Sequence, residues 1–271
     1  SPDVDQRLRN AMQWVLLACL PVSLIAFAGF IYIEHQRHRS FLPFRHLFTG
    51  RYLSGLFYYA VCYLLLSSIN YLIPIFLQQG LNVPVLNCGV VISAAGACAL
   101  PFAWLHLNTA ARYRHQRHYL LFAFGCLALF GLLCSQLTPQ ATLWQIALPL
   151  LILTGFTAIG QGTAAFHTFR ETDNRIFSQA YQTKNMLREL MNSTGVSITN
   201  VFLQHREALH YTRLAESVPT DSFQQSAMSP SGLLTLVTRQ STIMSCLDFF
   251  MLIAVLGAGL MLHSLWQKQI R

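Results

Sequence analysis

Charged side chains are what this sequence has least of. They make up a tenth of the chain, against roughly a quarter in soluble domains. Apolar residues fill the gap, at 54% of the sequence, and mean hydropathy reaches +0.42. A soluble core cannot absorb that excess. Acids are scarcer than bases, with 10 Asp and Glu against 18 Lys and Arg, for a net charge of +8. There is no HExxH, no glycine-rich phosphate loop and no nucleophile beside a base, and the carboxylates are dispersed. These absences argue against an enzyme. The seven cysteines (Cys19, Cys62, Cys88, Cys98, Cys126, Cys134 and Cys246) show neither CxxC nor Cys/His ligand spacing, and read as free thiols packed like small hydrophobes. His35, His38 and His46 in one basic loop, and His115 and His118 in another, have no thiolate or carboxylate to complete a metal site. No metal and no cofactor is expected.

What is present is long apolar runs. Seven of them read as about 11–33, 52–77, 85–107, 119–137, 143–166, 185–204 and 241–265. Each approaches the roughly 20 residues a helix needs to cross a hydrocarbon layer about 30 Å thick. The sequence therefore predicts an all-α polytopic membrane protein with seven transmembrane helices.

Basic residues alternate between the loops. With the first span ending on the cytoplasmic side, that side receives Arg37, Arg39, Arg45, Arg51, Arg112, Arg114, Arg117, Arg170, Arg175, Lys184, Arg188, Lys268 and Arg271. The other side receives Arg7, Arg9, Arg206, Arg213 and Arg239. Thirteen against five of the 18 bases places the N-terminus outside and the C-terminus in the cytoplasm. In such loops arginine is a topology signal and a contact to anionic lipid, so nucleic acid is not an expected partner. An odd span count beginning outside, with Ser1 first and no signal-like segment before it, is expected of the C-terminal part of a longer chain.

Residues 52–137 and 143–265 each supply three spans that start at opposite membrane faces, the pattern of two inverted three-helix repeats. The polar join at Thr138, Pro139 and Gln140 reads as a tight turn. The division expected is an outer segment, linker helix and cytoplasmic loop over 1–50, then a six-helix bundle over 51–271. A long outer loop containing short helical pieces is expected at 206–240, interrupted by Pro219, Pro230 and Gly232.

Three stretches carry a family resemblance. Leu72-Ile-Pro-Ile-Phe-Leu-Gln-Gln-Gly80, followed by Cys88-Gly89-Val-Val, resembles the "lPlflQ…G…aGl" pattern in the C-terminal half of fourteen-helix drug:proton antiporters of the major facilitator superfamily. Asn185-Met-Leu-Arg188-Glu-Leu-Met-Asn-Ser193-Thr-Gly195 resembles that group's "NxxRxxGGSxG" helix, and Asp248-Phe-Phe250 opens the last span. The resemblance implies that 11–33 is the second linker helix and 52–265 the C-terminal bundle of the major facilitator fold. It also implies a bacterial inner membrane, with an N-terminal half of the same transporter, a small-molecule substrate, protons and the bilayer as partners. The chain departs from the pattern at 108–118, where relatives often carry an Asp-Arg pair and this loop holds no acid. A gating charge there would need Glu34, Glu171 or Asp173.

Three groups of residues are candidates for the site. Tyr59, Tyr63, Ser67 and Asn70 recur at helical spacing on one face of 52–77, a stripe too polar to desolvate in lipid without a partner. Thr154, Thr157 and Gln161 form a second stripe beside Gly155, Gly160 and Gly162. Both are candidate substrate-cavity linings, with helix-to-helix hydrogen bonding, or back-bonding within one helix, as the plainer readings. Arg188, Glu189 and Asp248 are the charges inside spans, where a charge normally marks a pathway or a pair. Coupling or gating is their candidate role; helix-end anchoring of Arg188 and Glu189, and capping or packing by Asp248, are the alternatives. The expected function is secondary active transport, namely proton-coupled efflux of organic or amphipathic compounds by alternating access. The alternative is a non-transporting sensor or assembly module that keeps the fold.

Overall fold

The computed structural model describes residues 50–110, 116–169, 177–217 and 230–266, together with Pro21, Val22, Ile25, Gly29 and Tyr32. These residues form helices and short turns, with no strand among them. Helix α1 (Gly50–Ile75) runs into a π-helical turn at Phe76–Gly80. Helices α2 (Val85–Ala110) and α3 (Gln116–Ser135) follow. Helix α4 (Leu143–Gly155) passes through a second π turn, Phe156–Gly160, into α5 (Gln161–Phe169). Helices α6 (Phe177–Ser217) and α7 (Pro230–Trp266) complete the order.

Among the described residues, five stretches are long and apolar enough to cross a membrane: Tyr52–Gly80, Val85–Thr109, Arg117–Ser135, Trp144–Ala165 and Leu234–Trp266. They match five of the seven predicted runs, and the chain is a helical membrane protein. The run at 11–33 lies outside the described residues apart from the five isolated ones, which are helical. Glu34, Glu171 and Asp173 also lie outside them.

The run at 185–204 differs from expectation. It sits within the 41 residues of α6, about 60 Å of helix at 1.5 Å per residue. Asn192, Ser193, Thr194, Asn200 and Gln204, between the charged Arg188–Glu189 and Arg206–Glu207 pairs, leave that helix too polar to count among the five. Within the outer segment expected at 206–240, helix α6 continues to Ser217 and α7 begins at Pro230. No glycine or proline stands between Gly195 and Pro219 to stop the helix. Asp248 consequently lies at the middle of a 37-residue helix, not near its opening.

The predicted join at 138–140 is a turn, closed by Ala141 N–H donating to Thr138 O at 2.9 Å. Thr142 N–H then donates to Gln145 Oε1 at 2.9 Å, satisfying a donor at the start of α4. Between α1 and α2, Asn82 takes a left-handed conformation (φ 56°), which asparagine tolerates better than most residues. Leu81 N–H and Val83 N–H donate back to Phe76 O and Leu77 O, each at 2.9 Å, which satisfies two amides of the reversal. Pro74, Pro101 and Pro149 sit inside helices, where the missing N–H frees a carbonyl that membrane bundles accommodate locally.

The core is aromatic. Phe250 of α7 meets Phe76 edge-on at 5.4 Å and Phe130 of α3 at 5.8 Å. Phe124 of α3 lies 5.9 Å from Tyr58 of α1 and 6.2 Å from Phe156 in the second π turn. All six rings are buried, and such pairs contribute about 0.5–1.5 kcal/mol each beyond their area. The most extensive helix pair is α3 with α7, followed by α1 with α6 and α6 with α7. Reciprocal glycines bring α3 and α7 together. A Cβ on Gly131 would stand 2.6 Å from Ala254 N and 2.7 Å from Phe250 O. One on Gly257 would stand 2.8 Å from Ala128 N. Small residues let backbones touch where lipid offers no hydrophobic drive to association. Helix α2 is the periphery: 6% of its apolar window is buried against 44% for α1, and Val90, Leu100 and Trp104 face outward.

Candidate functional site

Tyr59 is buried and Tyr63 half-buried, with their ring centroids 4.6 Å apart. Across from them, Lys184 of α6 holds its ammonium 5.1 Å from the Tyr59 ring and 4.8 Å from the Tyr181 ring. That is cation–π distance. Lys184 lies just before the 185–204 run. Burial lowers its pKa below the ordinary lysine value, Tyr181 opposes the shift, and the positive charge of Arg188 adds to it.

Farther along the stripe the hydroxyls serve packing. Ser67 is buried and donates to Leu64 O in its own helix at 2.9 Å. Ser68 donates to Leu64 O at 2.8 Å and to Gly195 O of α6 at 3.1 Å. A Cβ on Gly195 would fall 2.1 Å from Ser67 Oγ and 2.4 Å from Leu64 O, so this glycine is where α6 rests on α1. Asn70 is exposed, and its neighbour Tyr71 donates to Asn200 Oδ1 at 3.2 Å. The upper stripe thus divides between a helix seam and the outside surface.

In the second stripe Thr154 donates to Leu151 O at 2.6 Å and Thr157 to Thr154 O at 3.1 Å. Both hydroxyls return to their own helix, as threonines in membranes often do. Gln161 is half-buried, and its Nε2 lies buried without a hydrogen-bond partner. Helix α1 packs against α5, so the two stripes occupy neighbouring helices. The π turn at Phe156–Gly160 falls between Thr154 and Gln161; single π turns inside α-helices recur at functional positions.

The three predicted charges separate. Arg188 and Glu189, adjacent in sequence, pair with each other at 2.9 Å on an exposed surface. Asp248 instead centres a cluster between α6 and α7. Its Oδ2 accepts from Arg206 Nε at 2.8 Å, from Arg206 Nη2 at 2.5 Å and from His210 Nε2 at 2.7 Å. About a third of the Asp248 and Arg206 side chains remains exposed. Six residues earlier in α7, Thr242 donates to Glu207. Arg239 donates through Nε to Gly80 O at 2.7 Å, filling a carbonyl at the end of the first π turn.

Arg206, His210, Glu207 and Arg239 were not predicted as site residues. The 206–240 segment reads as an outer loop when only apolar runs are counted. The available signal was the i, i+4 spacing of Arg206 and His210 in a stretch without helix breakers. Chemically, the cluster is a carboxylate that holds two cationic or cation-forming groups of the neighbouring helix. Adding a proton to it would weaken both contacts.

No protein-family model matches the chain, and no curated protein is similar enough to count as a relative.

Proposed function

We propose that the chain is the C-terminal six-helix bundle of a proton-coupled secondary transporter of major facilitator type, acting with an N-terminal bundle to export organic or amphipathic compounds. The observation that carries this reading is the Asp248–Arg206–His210 cluster. It joins a helix apolar enough to span a membrane to a 41-residue helix that is not. A polar helix packed into a membrane bundle must turn its polar side toward protein or water, because an unsatisfied polar group in hydrocarbon costs several kcal/mol. Helix α6 thereby lines a polar path, and Asp248 is a carboxylate beside that path.

In this mechanism, protonation of Asp248 removes the negative charge that holds Arg206 and His210. Helix α6 is then released relative to α7, and the inward- and outward-open forms exchange populations. Half-buried Tyr63, tilted against the buried ring of Tyr59, offers an aromatic face for aromatic or cationic compounds. Topology follows the arginine and lysine asymmetry, with the end of the bundle carrying Gly80 and Ser217 facing out.

The test is substrate-dependent proton movement in liposomes containing the full-length gene product, wild type against Asp248→Asn. Wild type is expected to move protons when substrate is added, and the variant to bind substrate without doing so. Equal proton movement by both would remove Asp248 from the mechanism, and its absence from both would remove proton coupling.

A further inference from the structure

A second polar cluster lies at the opposite end of the bundle, where α2 ends and α3 begins. His106, near the C-terminus of α2, is 4% exposed. Its Nε2 lies 3.3 Å from Thr163 Oγ1 of α5, and its ring meets Tyr119 of α3 edge-on at 4.9 Å. Three helices therefore fix the imidazole.

The hydrogen bonds favour one tautomer. Thr163 donates its single hydroxyl hydrogen to Ile159 O at 2.7 Å. With that hydrogen so placed, the threonine oxygen accepts from His106, and Nε2 carries the hydrogen of the neutral ring. In the neutral ring Nδ1 then bears a lone pair, and this buried atom has no partner. A buried acceptor left without a donor destabilises that state of the ring. Gly162, beside Thr163, makes room for the ring, since a Cβ there would come within 3.2 Å of His106 Cδ2 and Nε2. Gln161 adjoins Gly162 in the chain, and its Nε2 is buried and unpartnered as well.

We propose that His106 is a second proton-binding residue of the bundle, with Nδ1 as the atom that takes up the proton and Thr163 as the residue that keeps it free to do so. The proton adds to the Nδ1 lone pair to give an imidazolium and leaves by the same bond, so no other reactant is required. Gln161, one residue from Gly162 in α5, carries an amide whose oxygen and nitrogen can exchange places by a flip. Of the titratable and charged groups, Tyr119 of α3 faces the ring, and Arg117 and His118 flank it in sequence. Arg117 has an Nε that is buried without a hydrogen-bond partner. Helix α5 presents Thr163 and Gln161, neither of which titrates. The role in coupling rests on the transport reading above; the proton itself can be observed without transport.

The experiment is nitrogen NMR of the full-length protein in lipid nanodiscs with isotope-labelled histidine, with the His106 signals identified by their loss in His106→Gln. Neutral His106 is expected to show the hydrogen on Nε2 and a bare Nδ1, and to gain an Nδ1 proton reversibly as pH is lowered. In Thr163→Val the two tautomers are expected to mix, while the fold, followed by the remaining histidine signals, persists. A hydrogen on Nδ1 in the neutral protein, or a ring that never titrates while the protein stays folded, overturns the proposal. In liposomes, His106→Gln is expected to flatten the pH dependence of transport while substrate binding survives. An unchanged pH profile in a protein that transports would overturn the coupling role. If His106 titrates as expected in a protein that moves no substrate, the proton site stands and the transport reading falls.

Discussion

Two seams of this bundle share α7 and are built on opposite principles. Against α3, helix α7 lays backbone on backbone, with Gly131 and Gly257 each facing a main-chain nitrogen and buried phenylalanine rings alongside. Against α6 it presents Asp248, Thr242 and Ser241, and the contacts include a carboxylate held by guanidinium and imidazole. The first seam is described by glycine, main-chain and phenylalanine contacts, so its geometry is set by shape. The second has several groups whose charge can change, so its geometry can respond to a proton. One helix can therefore be fixed to its scaffold on one side and switchable on the other.

The largest expected effect attacks the shape-defined seam. Gly131→Ala puts a methyl group into the Ala254 backbone, so the helices must part. Overpacking of this kind costs about 1–3 kcal/mol. A lower unfolding temperature in detergent is expected, with proton coupling per folded molecule unchanged; coupling lost at full stability would reverse the assignment of the two seams. Next comes Asp248→Asn, which weakens a carboxylate contact about a third exposed. Hydrogen bonds to charged groups contribute about 1.5–3 kcal/mol when buried and less with exposure, so about 1–2 kcal/mol is expected. Here coupling should fail while most of the protein remains folded, as judged by size-exclusion profile and proton flux.

Tyr63→Ala sharpens the comparison at a third place. It removes one of two rings tilted against each other near Lys184 of α6. The resistance spectrum of cells carrying the full-length gene is expected to change, with little change in the amount of protein in the membrane. Loss of the protein from the membrane would make the ring a packing element. The smallest effect belongs to Ser68→Ala. Ser68 shares one hydroxyl between Leu64 O and Gly195 O, and interhelical hydrogen bonds of this type average about 0.6 kcal/mol. A thermal shift near the limit of detection is expected, and a large one would mean that Gly195 depends on the serine for its seat.

The parts of this architecture that rest on apolarity were readable in advance. Five spans coincide with uninterrupted hydrophobic runs, because length and composition suffice to name a membrane helix. The turn at Thr138–Gln140 was readable from its proline and polar flanks. Asp248 was legible as an isolated intramembrane acid, but its partners were not. Arg206 and His210 belong to a helix whose length comes from the lack of a breaker, and counting apolar residues ends that helix too early. His106 escaped notice because a lone histidine within an apolar run has no local pattern. Its significance comes from Thr163, 57 residues away. The glycine seats at Gly131, Gly195 and Gly257 likewise depend on which helix lies opposite, information that no single segment contains.

The central claim is that the α6–α7 seam answers to the charge on Asp248 while the α3–α7 seam does not. Spin labels on exposed sites in the full-length protein, with reactive native cysteines replaced, test it by pulsed electron resonance distances in nanodiscs. One pair sits at Arg213 and Leu236, across α6 and α7, and the other at Leu132 and Val255, across α3 and α7; all four residues are exposed. With Asp248→Asn standing in for the protonated acid, the 213–236 distance distribution is predicted to shift or broaden and the 132–255 distribution to stay as in wild type. An unchanged 213–236 distribution, or equal movement of both pairs, would contradict the account.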